Sequence, residues 1–286
     1  MRYYSIFILV LICLCCTSCT VLQWRNSDEE ISQKFNDLDI VTNISYFKVD
    51  SLDVDIRIQS VPSEGKEAFN LVFLHGSPSS LSAWDGYLVN DSLRQITTMH
   101  AIDRPGYGYS NFGDEITSID TQSQIISAVI DDKQLENVIV IGSSYGGPVA
   151  ARVGFLNNRV KAAVMMSPAI DPAIEKDIWA SRFTQWIVTR WLVPTGYRVA
   201  GDEKKVHAKE LELIKNDWKD ITIPVVHIHG DIDDLVPYEN VDFSTKNFQD
   251  IKIVTIPEKG HEIAWKYSNL MIPHLLELME RVREGD

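Results

Sequence analysis

The turn formed by residues 142–147, Gly-Ser-Ser-Tyr-Gly-Gly, contains the serine best placed to do chemistry. Ser144 has a glycine two residues away on each side, Gly142 and Gly146, and the turn directly follows the apolar run 138–141. A serine on so tight a connection between a strand and a helix requires neighbours without a Cβ, because the backbone passes close to it. The pattern therefore predicts that the Ser144 hydroxyl projects from the turn beside backbone N–H groups, which suits attack on a carbonyl group.

Two further loops have sequences that support this interpretation. Residues 75–78 read His-Gly-Ser-Pro after an apolar run, and residues 103–110 read Asp-Arg-Pro-Gly-Tyr-Gly-Tyr-Ser after the next run. Together with the turn around Ser144, these loops resemble those of the α/β-hydrolase superfamily, and the resemblance extends over about residues 44–283.

The resemblance implies roles for the residues on either side of the serine. Ser144 would be the nucleophile, and the backbone N–H groups of Ser77 and Tyr145 would bind the oxyanion that forms when it attacks. The remaining loop residues would support the two loops without touching the reacting atoms: His75, Gly76, Gly142 and Gly146.

The superfamily pattern also implies an acid that follows the serine in the chain. Residues 229–237, His-Gly-Asp-Ile-Asp-Asp-Leu-Val-Pro, are similar to the family's loop that carries this acid, and the position of the glycine and of the Val-Pro pair selects Asp233. Asp231 and Asp234 remain alternatives, since either could be a solvated carboxylate or a helix cap. Asp171, after the preceding predicted strand, is a more remote alternative.

The base implied by the resemblance is His261, which follows a glycine after the last strand-like run. His75 and His229 lie in the motif loops, where we expect packing or orienting roles. We expect the side chains of His227 and His229 to point to opposite faces of a strand, so that they would not share a metal ion. No metal site is predicted.

A Ser–His–Asp set implies acyl transfer through a covalent intermediate, with no metal or organic cofactor. Ser144 departs from the aspartate that haloalkane dehalogenases and epoxide hydrolases of this superfamily carry, and Tyr145 stands where proline iminopeptidases usually have tryptophan. We therefore predict a serine hydrolase of carboxylesterase type, acting on a small acyl compound. The alternatives are an aminopeptidase or amidase, with Glu175 or Asp177 binding a free amine, a C–C hydrolase, and a catalytically silent binding protein.

The elements that must hold these residues can be recognised from short apolar runs. A pair of strands at residues 44–49 and 52–59 alternates as a half-buried hairpin does, and six continuous apolar runs follow, with helical stretches between them. Continuous runs of this kind are typical of strands buried on both faces. The sequence therefore predicts an α/β fold with a mostly parallel eight-stranded sheet and helices on both faces, formed by residues 41–170 and 220–286. Residues 171–219, rich in tryptophan, predict an inserted helical lid.

Length and charge exclude several classes of protein. The chain has 286 residues, 45% of them hydrophobic, and a net charge of −13 without a basic run. This composition is typical of a globular protein, and its charge argues against nucleic acid as a partner. The expected partner is a small acyl substrate, and the sequence gives no indication of an oligomeric state.

The first residues have the pattern of an export signal. Residues 1–19 place one arginine before the apolar stretch 6–16, and all four cysteines of the chain lie here. The stretch is shorter than the roughly 20 apolar residues of a membrane-spanning helix. Cys19 resembles the lipidated cysteine of bacterial lipoproteins, although position 16 is not the usual leucine. We expect a bacterial membrane-anchored lipoprotein, or otherwise a periplasmic or secreted protein, with residues 20–40 as a polar tether.

Overall fold

The computed structural model of the protein describes residues 24–66, 68–176 and 181–285. Their core is an eight-stranded sheet in the order β1-β2-β4-β3-β5-β6-β7-β8. The strands are β1 Asn43–Val49, β2 Val54–Val61, β3 Phe69–Leu74, β4 Thr97–Ile102, β5 Val138–Ser143, β6 Val160–Met166, β7 Val225–Gly230 and β8 Ile251–Ile256. Only the two pairs that involve β2 are antiparallel, with β1 and with β4. The predicted fold class is confirmed.

The central strands are buried on both faces, which explains their continuous apolar sequences. In β3 every residue is buried. Leu71 and Phe73 pack into the hydrophobic cluster on one face of the sheet, whereas Val72 and Leu74 pack into the cluster on the other. This alternation is the two-residue period of a strand.

Helices cover both faces of the sheet. The helices are α1 Asp28–Asn36, α2 Asp85–Leu88, α3 Asp91–Arg94, α4 Ile119–Asp132, α5 Gly146–Leu156, α6 Ser181–Gln185, α7 Ile187–Arg190, α8 Thr195–Ile214, α9 Asn240–Asn247, α10 Ile263–Lys266 and α11 Ser268–Gly285. Buried side chains of α10 and α11 belong to one cluster and those of α4 and α5 to the other. Because helices connect consecutive parallel strands, the carboxyl ends of these strands lie at one edge of the sheet.

The start of the described chain differs from the prediction that residues 20–40 form a tether. Residues 28–36 form α1, which begins with a reciprocal capping box: the Ser27 hydroxyl accepts from the Glu30 N–H, and the Glu30 carboxylate accepts from the Ser27 N–H. Ile31 and Phe35, four residues apart on one helical face, are buried in the hydrophobic core. The polar composition concealed this short amphipathic helix. The predicted export signal 1–19 and its Cys19 lie outside the described residues.

The insertion between β6 and β7, residues 171–219, contains α6, α7 and α8 and leads into a 3-10 helix at Lys215–Asp220. The longest of these, α8, packs against α4 and buries Leu211 and Ile214 in the cluster that also contains α5. Nowhere in the described ranges is a helix both long and apolar enough to cross a bilayer.

Candidate active site

Ser144 lies at the carboxyl end of β5, on a turn with unusual backbone geometry. Its φ angle is 53°, in the left-handed region that non-glycine residues rarely adopt. A Cβ on Gly142 would lie 1.9 Å from the carbonyl oxygen of Gly146, and a Cβ on Gly146 would lie 2.4 Å from that of Leu74. The two glycines are therefore required by contact, and the Ser144 N–H donates to the carbonyl of Met166 at 2.9 Å, which ties the turn to β6.

Asp233 and His261, from the loops after β7 and β8, are brought together by the fold. The Nδ1 of His261 lies 2.8 Å from Oδ2 of Asp233, whose side chain is buried. The other oxygen of Asp233, Oδ1, accepts from the N–H groups of Leu235 and Val236 at 3.0 and 2.9 Å. These bonds fix the carboxylate and orient the ring.

The alternative acids lie elsewhere. Asp231 is exposed, and its carboxylate accepts from the N–H of Glu258. Asp234 is also exposed. Asp171 accepts from the N–H of Ala173, two residues further on, within its own turn. Of the four aspartates considered from the sequence, Asp233 is the one that contacts His261.

Asp233 is held in its ionised form. Burial alone would raise its pKa, but hydrogen bonds from His229 and His261, together with the backbone N–H of Val236, hold the pKa well below its usual range. An ionised, acceptor-only carboxylate requires that the Nδ1 of His261 carries a proton. The Nε2 of His261 is then the atom that faces away from Asp233 and can accept a proton.

The expectation that His227 and His229 point to opposite faces is wrong. Residues two apart on a strand lie on the same face, and the Nε2 of His227 lies 2.9 Å from the Nδ1 of His229. The Nδ1 of His227 lies 2.9 Å from the hydroxyl of Ser244, and the Nε2 of His229 lies 3.1 Å from the carbonyl oxygen of Val236. This series of hydrogen bonds supports the Asp233 carboxylate. In the described part of the chain no group of three or more potential ligands is arranged to hold a metal ion.

Ser144 and His261 line one cavity of about 610 Å³, whose wall includes Trp24, Trp84 and Trp265. A second cavity of about 290 Å³, lined by residues of the insertion, also reaches Ser144. No hydrogen bond links the His261 ring to the Ser144 hydroxyl among the described residues. The two side chains therefore line the same cavity without a hydrogen bond between them.

The loop after β3 lies directly against the turn that carries Ser144. A Cβ on Gly76 would lie 3.1 Å from that of Ser144. The N–H groups of Ser77 and Tyr145 make no hydrogen bond within the described ranges, so both are available to a ligand. The Tyr145 hydroxyl donates to the carbonyl of Thr117 at 2.9 Å, which fixes the side chain.

His75 is buried and has a structural role. Burial and the nearby guanidinium of Arg104 lower the pKa of His75 well below its usual value, so the ring is neutral. Its Nδ1 lies 2.7 Å from the carbonyl oxygen of Gly76, and its Nε2 accepts from the N–H of Arg104 at 3.0 Å. Both ring nitrogens are used to fix the loop, as expected for an orienting residue.

Arg104, the side chain that holds the loop after β3, was not identified from the sequence. Arg104 is fully buried and donates to the carbonyls of His75 and Gly76 at 2.7 and 3.0 Å and to the Ser77 hydroxyl at 2.6 Å. Its remaining nitrogen forms a 2.7 Å ion pair with Glu203, a residue of α8 that is 1% exposed. The insertion thus supplies the counter-ion of the arginine that fixes the loop.

Glu203 also contacts the loop directly. Its carboxylate accepts from the Ser77 hydroxyl and, at 2.6 Å, from the hydroxyl of Tyr107. Arg104 stands in the motif of residues 103–110, so its position was a usable signal. Glu203 lies 99 residues further along in a helix without a motif, and no local pattern marks it.

The chain is similar in sequence to known proteins over most of its length. The model of the alpha/beta hydrolase family matches residues 71–267. A pimeloyl-[acyl-carrier protein] methyl ester esterase of Wigglesworthia glossinidia brevipalpis is 24% identical over 236 residues, covering 69% of this chain and 88% of that enzyme. A non-heme chloroperoxidase of Kitasatospora aureofaciens is 25% identical over 213 residues, covering 59% of this chain and 76% of that enzyme.

A solved structure gives the same result for the fold. The bromoperoxidase of Bacillus anthracis superposes with a TM-score of 0.68 at 19% identity, over 83% of this chain and all of that one. The family match covers the strands and loops that carry Ser144, Asp233 and His261. This chain therefore belongs to the alpha/beta hydrolase family.

Proposed function

We propose that the protein is a serine hydrolase that cleaves a small carboxylic ester or related acyl compound. The observation that carries the proposal is the pairing of His261 with the buried, ionised Asp233 at the rim of the cavity that contains Ser144. A free serine hydroxyl is a weak nucleophile at neutral pH and needs an adjacent base. His261 supplies that base once its ring moves into contact with Ser144.

The reaction has two acyl-transfer steps. The Nε2 of His261 takes the hydroxyl proton as the Ser144 oxygen bonds to the carbonyl carbon, and it then gives the proton to the leaving group as the bond to that group breaks. Water releases the acyl group from Ser144 by the same route in reverse order. Asp233 stabilises the charged form of His261 throughout and keeps its Nδ1 protonated.

The free N–H groups of Ser77 and Tyr145 are assigned to the oxyanion. Their charge-assisted hydrogen bonds would form as negative charge develops on the carbonyl oxygen, and one such donor typically contributes about 3 kcal/mol to the transition state. The Arg104 and Glu203 contacts support this role, because they fix the backbone on which the Ser77 N–H lies.

The two cavities that meet at Ser144 suit a substrate with a group on each side of the bond that is cleaved. The larger cavity has tryptophan in its wall, and the smaller one is lined by Tyr197, Ala200 and Val236 among others. These linings favour apolar groups. The esterase named among the relatives acts on a methyl ester, which supports acyl hydrolysis as the reaction class.

An aminopeptidase is a weaker candidate. Glu175 does line the smaller cavity, but its carboxylate is already ion-paired with Lys204. A carboxylate that is neutralised in this way is a poor receptor for the free amine of a substrate. Asp177, the other residue considered for that role, lies outside the described residues.

Hydrolysis of a series of p-nitrophenyl esters of increasing acyl length tests the proposal. We expect turnover by the wild-type protein and none by Ser144→Ala, and we expect a fluorophosphonate probe to label only the former. Turnover that persists in Ser144→Ala would overturn the assignment of the nucleophile. Absence of both turnover and labelling in the wild type would favour a binding protein on this scaffold.

A further inference from the structure

Two short helices of the insertion expose an unusual density of large apolar side chains. Six such side chains are exposed among the ten residues 183–192, which belong to α6, α7 and the turn that follows: Phe183, Trp186, Ile187, Val188, Trp191 and Leu192. Ile187 is 91% exposed and Val188 77%. These six residues are called the apolar ridge below. Contiguous exposed apolar surface of this kind generally marks a site of interaction.

Three polar side chains of the same helices contact α8 instead. Arg190 forms a 2.6 Å ion pair with Asp202 of α8, and Gln185 donates to the same carboxylate at 2.7 Å. Thr184 is buried against α8, where a Cβ on Gly201 would lie 1.9 Å from its hydroxyl oxygen. The helix pair is attached through polar contacts and presents its apolar side to the outside, which reverses the usual arrangement of a surface helix.

Charge around the ridge differs from the charge of the whole protein. The insertion as a whole, residues 171–219, contains nine basic and eight acidic side chains, a net charge of +1, in a chain whose net charge is −13. Lys176, Arg182, Lys204 and Lys205 line a cleft together with Trp186 of the ridge. Among the described residues, Glu175 is the one acidic side chain in the lining of this cleft, so the ridge borders a local excess of positive charge in an otherwise acidic protein, and its partner is expected to be anionic.

The described chain begins beside the same region. The ring of Trp24 packs against that of Tyr197, with centroids 5.3 Å apart, and Tyr197 lies in the first turn of α8, directly after the ridge. Residues 1–23 precede Trp24 and include the apolar stretch 6–16. The segment expected to attach the protein to a membrane thus joins the folded part next to the first turn of α8, which follows the ridge in the chain.

We propose that the apolar ridge docks onto the surface of a lipid bilayer that contains anionic phospholipids. Tryptophan and aliphatic side chains partition into the boundary between headgroups and acyl chains, while surrounding lysine and arginine attract anionic headgroups. A second copy of the chain is the less suitable occupant, because two ridges facing each other would bring two regions of like charge together.

Docking in this orientation places the catalytic cavity beside the lipid. The basic cleft and the smaller cavity at Ser144 share Glu175, Lys176, Gly201 and Lys204 in their walls, so the two are adjacent. The proposal does not depend on the reaction, since binding of the ridge to a bilayer can be measured without turnover.

Quenching of tryptophan fluorescence by brominated acyl chains tests the docking directly. The full chain is incorporated into phosphatidylcholine vesicles with and without phosphatidylglycerol, so that residues 1–23 are present in every variant. Trp186→Phe/Trp191→Phe identifies the part of the quenching that comes from the ridge. In Ile187→Asp/Val188→Asp we expect that part to fall by at least about half, because the buried apolar area is lost and charge is added. We also expect it to be larger with phosphatidylglycerol.

The matched control is Val41→Asp/Leu213→Asp, since these side chains are 71% and 68% exposed but lie outside the ridge. We expect its quenching to equal that of the wild type, and both double variants to keep the wild-type melting temperature and turnover of soluble p-nitrophenyl butyrate. Equal quenching in the ridge variant and the wild type would overturn the proposal. So would ridge quenching that is absent in the wild type while sedimentation velocity shows a dimer that Ile187→Asp/Val188→Asp abolishes, which would assign the ridge to a second copy.

Discussion

The loops that carry the proposed catalytic side chains and the insertion between β6 and β7 are built in opposite ways. Ser144 and Asp233 follow strands whose residues are all buried. Backbone N–H groups hold the Asp233 carboxylate, and the N–H of Ser144 is bonded to β6. In the apolar ridge, polar side chains attach the helices to α8 and apolar side chains face outwards.

The two regions are therefore suited to different tasks, the sheet to holding residues in fixed positions and the ridge to recognition. Strands that are buried on both faces cannot shift without disturbing the core, so they suit residues that must keep their positions within tenths of an ångström. Helices attached by a few polar contacts contribute little to that core, and their outer surface is free to serve recognition. Glu203 is the exception, because it belongs to the insertion and yet holds a loop of the sheet.

The largest effect is expected for Ser144→Ala, which tests whether chemistry depends on the sheet-borne residues. We expect kcat for p-nitrophenyl esters to fall by at least about 10⁴-fold, because no other group can form the acyl-enzyme. Alanine can adopt the same backbone angle as Ser144, so the melting temperature measured by circular dichroism should not change. Retention of most of the activity would show that another residue is the nucleophile.

The next effect concerns the acid. Asp233→Asn should lower kcat by about 10⁴-fold, because the amide no longer holds His261 in the required tautomer. Asp231→Asn and Asp234→Asn serve as controls in the same loop, and both should stay within a few fold of the wild type since neither contacts His261. Equal losses in all three variants, measured as kcat/KM, would mean that Asp233 has no special role.

A smaller effect should follow from breaking the ion pair between Arg104 and Glu203, which joins the insertion to a loop of the sheet. Glu203→Gln leaves the Arg104 guanidinium buried without its counter-ion, which typically costs about 3–5 kcal/mol of stability. We expect kcat to fall by about tenfold to a hundredfold as the Ser77 N–H loses its position, with a smaller change in KM. The control is Glu212→Gln, an exposed glutamate on the same helix. A kcat equal to that of the wild type would show that the sheet positions the loop alone.

The smallest effect is expected in the free energy of unfolding alone, and it concerns the buried carboxylate of Asp103. Burial raises the pKa of Asp103 to about 6, against the opposing charge of Arg57. The folded protein therefore binds this proton more tightly than the unfolded chain does, and stability increases as the pH falls from about 6 to about 4, by up to about 3 kcal/mol. We expect this gain in urea unfolding of the wild type and its absence in Asp103→Asn. Parallel pH profiles for the two proteins would contradict the raised pKa.

The sequence was sufficient to predict the parts that depend on local pattern. The runs that became β3 to β7 were recognisable because strands buried on both faces are mostly continuous in their apolar residues, and the turn at Ser144 was recognisable because contact requires its two glycines. The helix at Asp28–Asn36 was missed, since two buried side chains in a polar segment give a weak signal. The expectation for His227 and His229 failed because residues two apart share a face of a strand.

What could not be predicted depends on contacts between distant parts of the chain. The ion pair between Arg104 and Glu203 joins residues 99 positions apart, and neither local composition nor spacing relates them. The distance from His261 to Asp233 is likewise a property of the packed sheet, although the residue types were recognised from their loops.

The Arg104–Glu203 ion pair also has a consequence for engineering. An obvious way to change substrate preference is to graft the insertion of another hydrolase onto this sheet. Such a chimera would place an uncompensated guanidinium under the oxyanion loop unless the donor segment brings a carboxylate to the position of Glu203. Exchanging Arg104 for a neutral residue of the donor would remove the charge, but it would also release the carbonyls of His75 and Gly76. A chimera must therefore keep or replace Arg104 and Glu203 together, because the insertion cannot be exchanged as an independent segment.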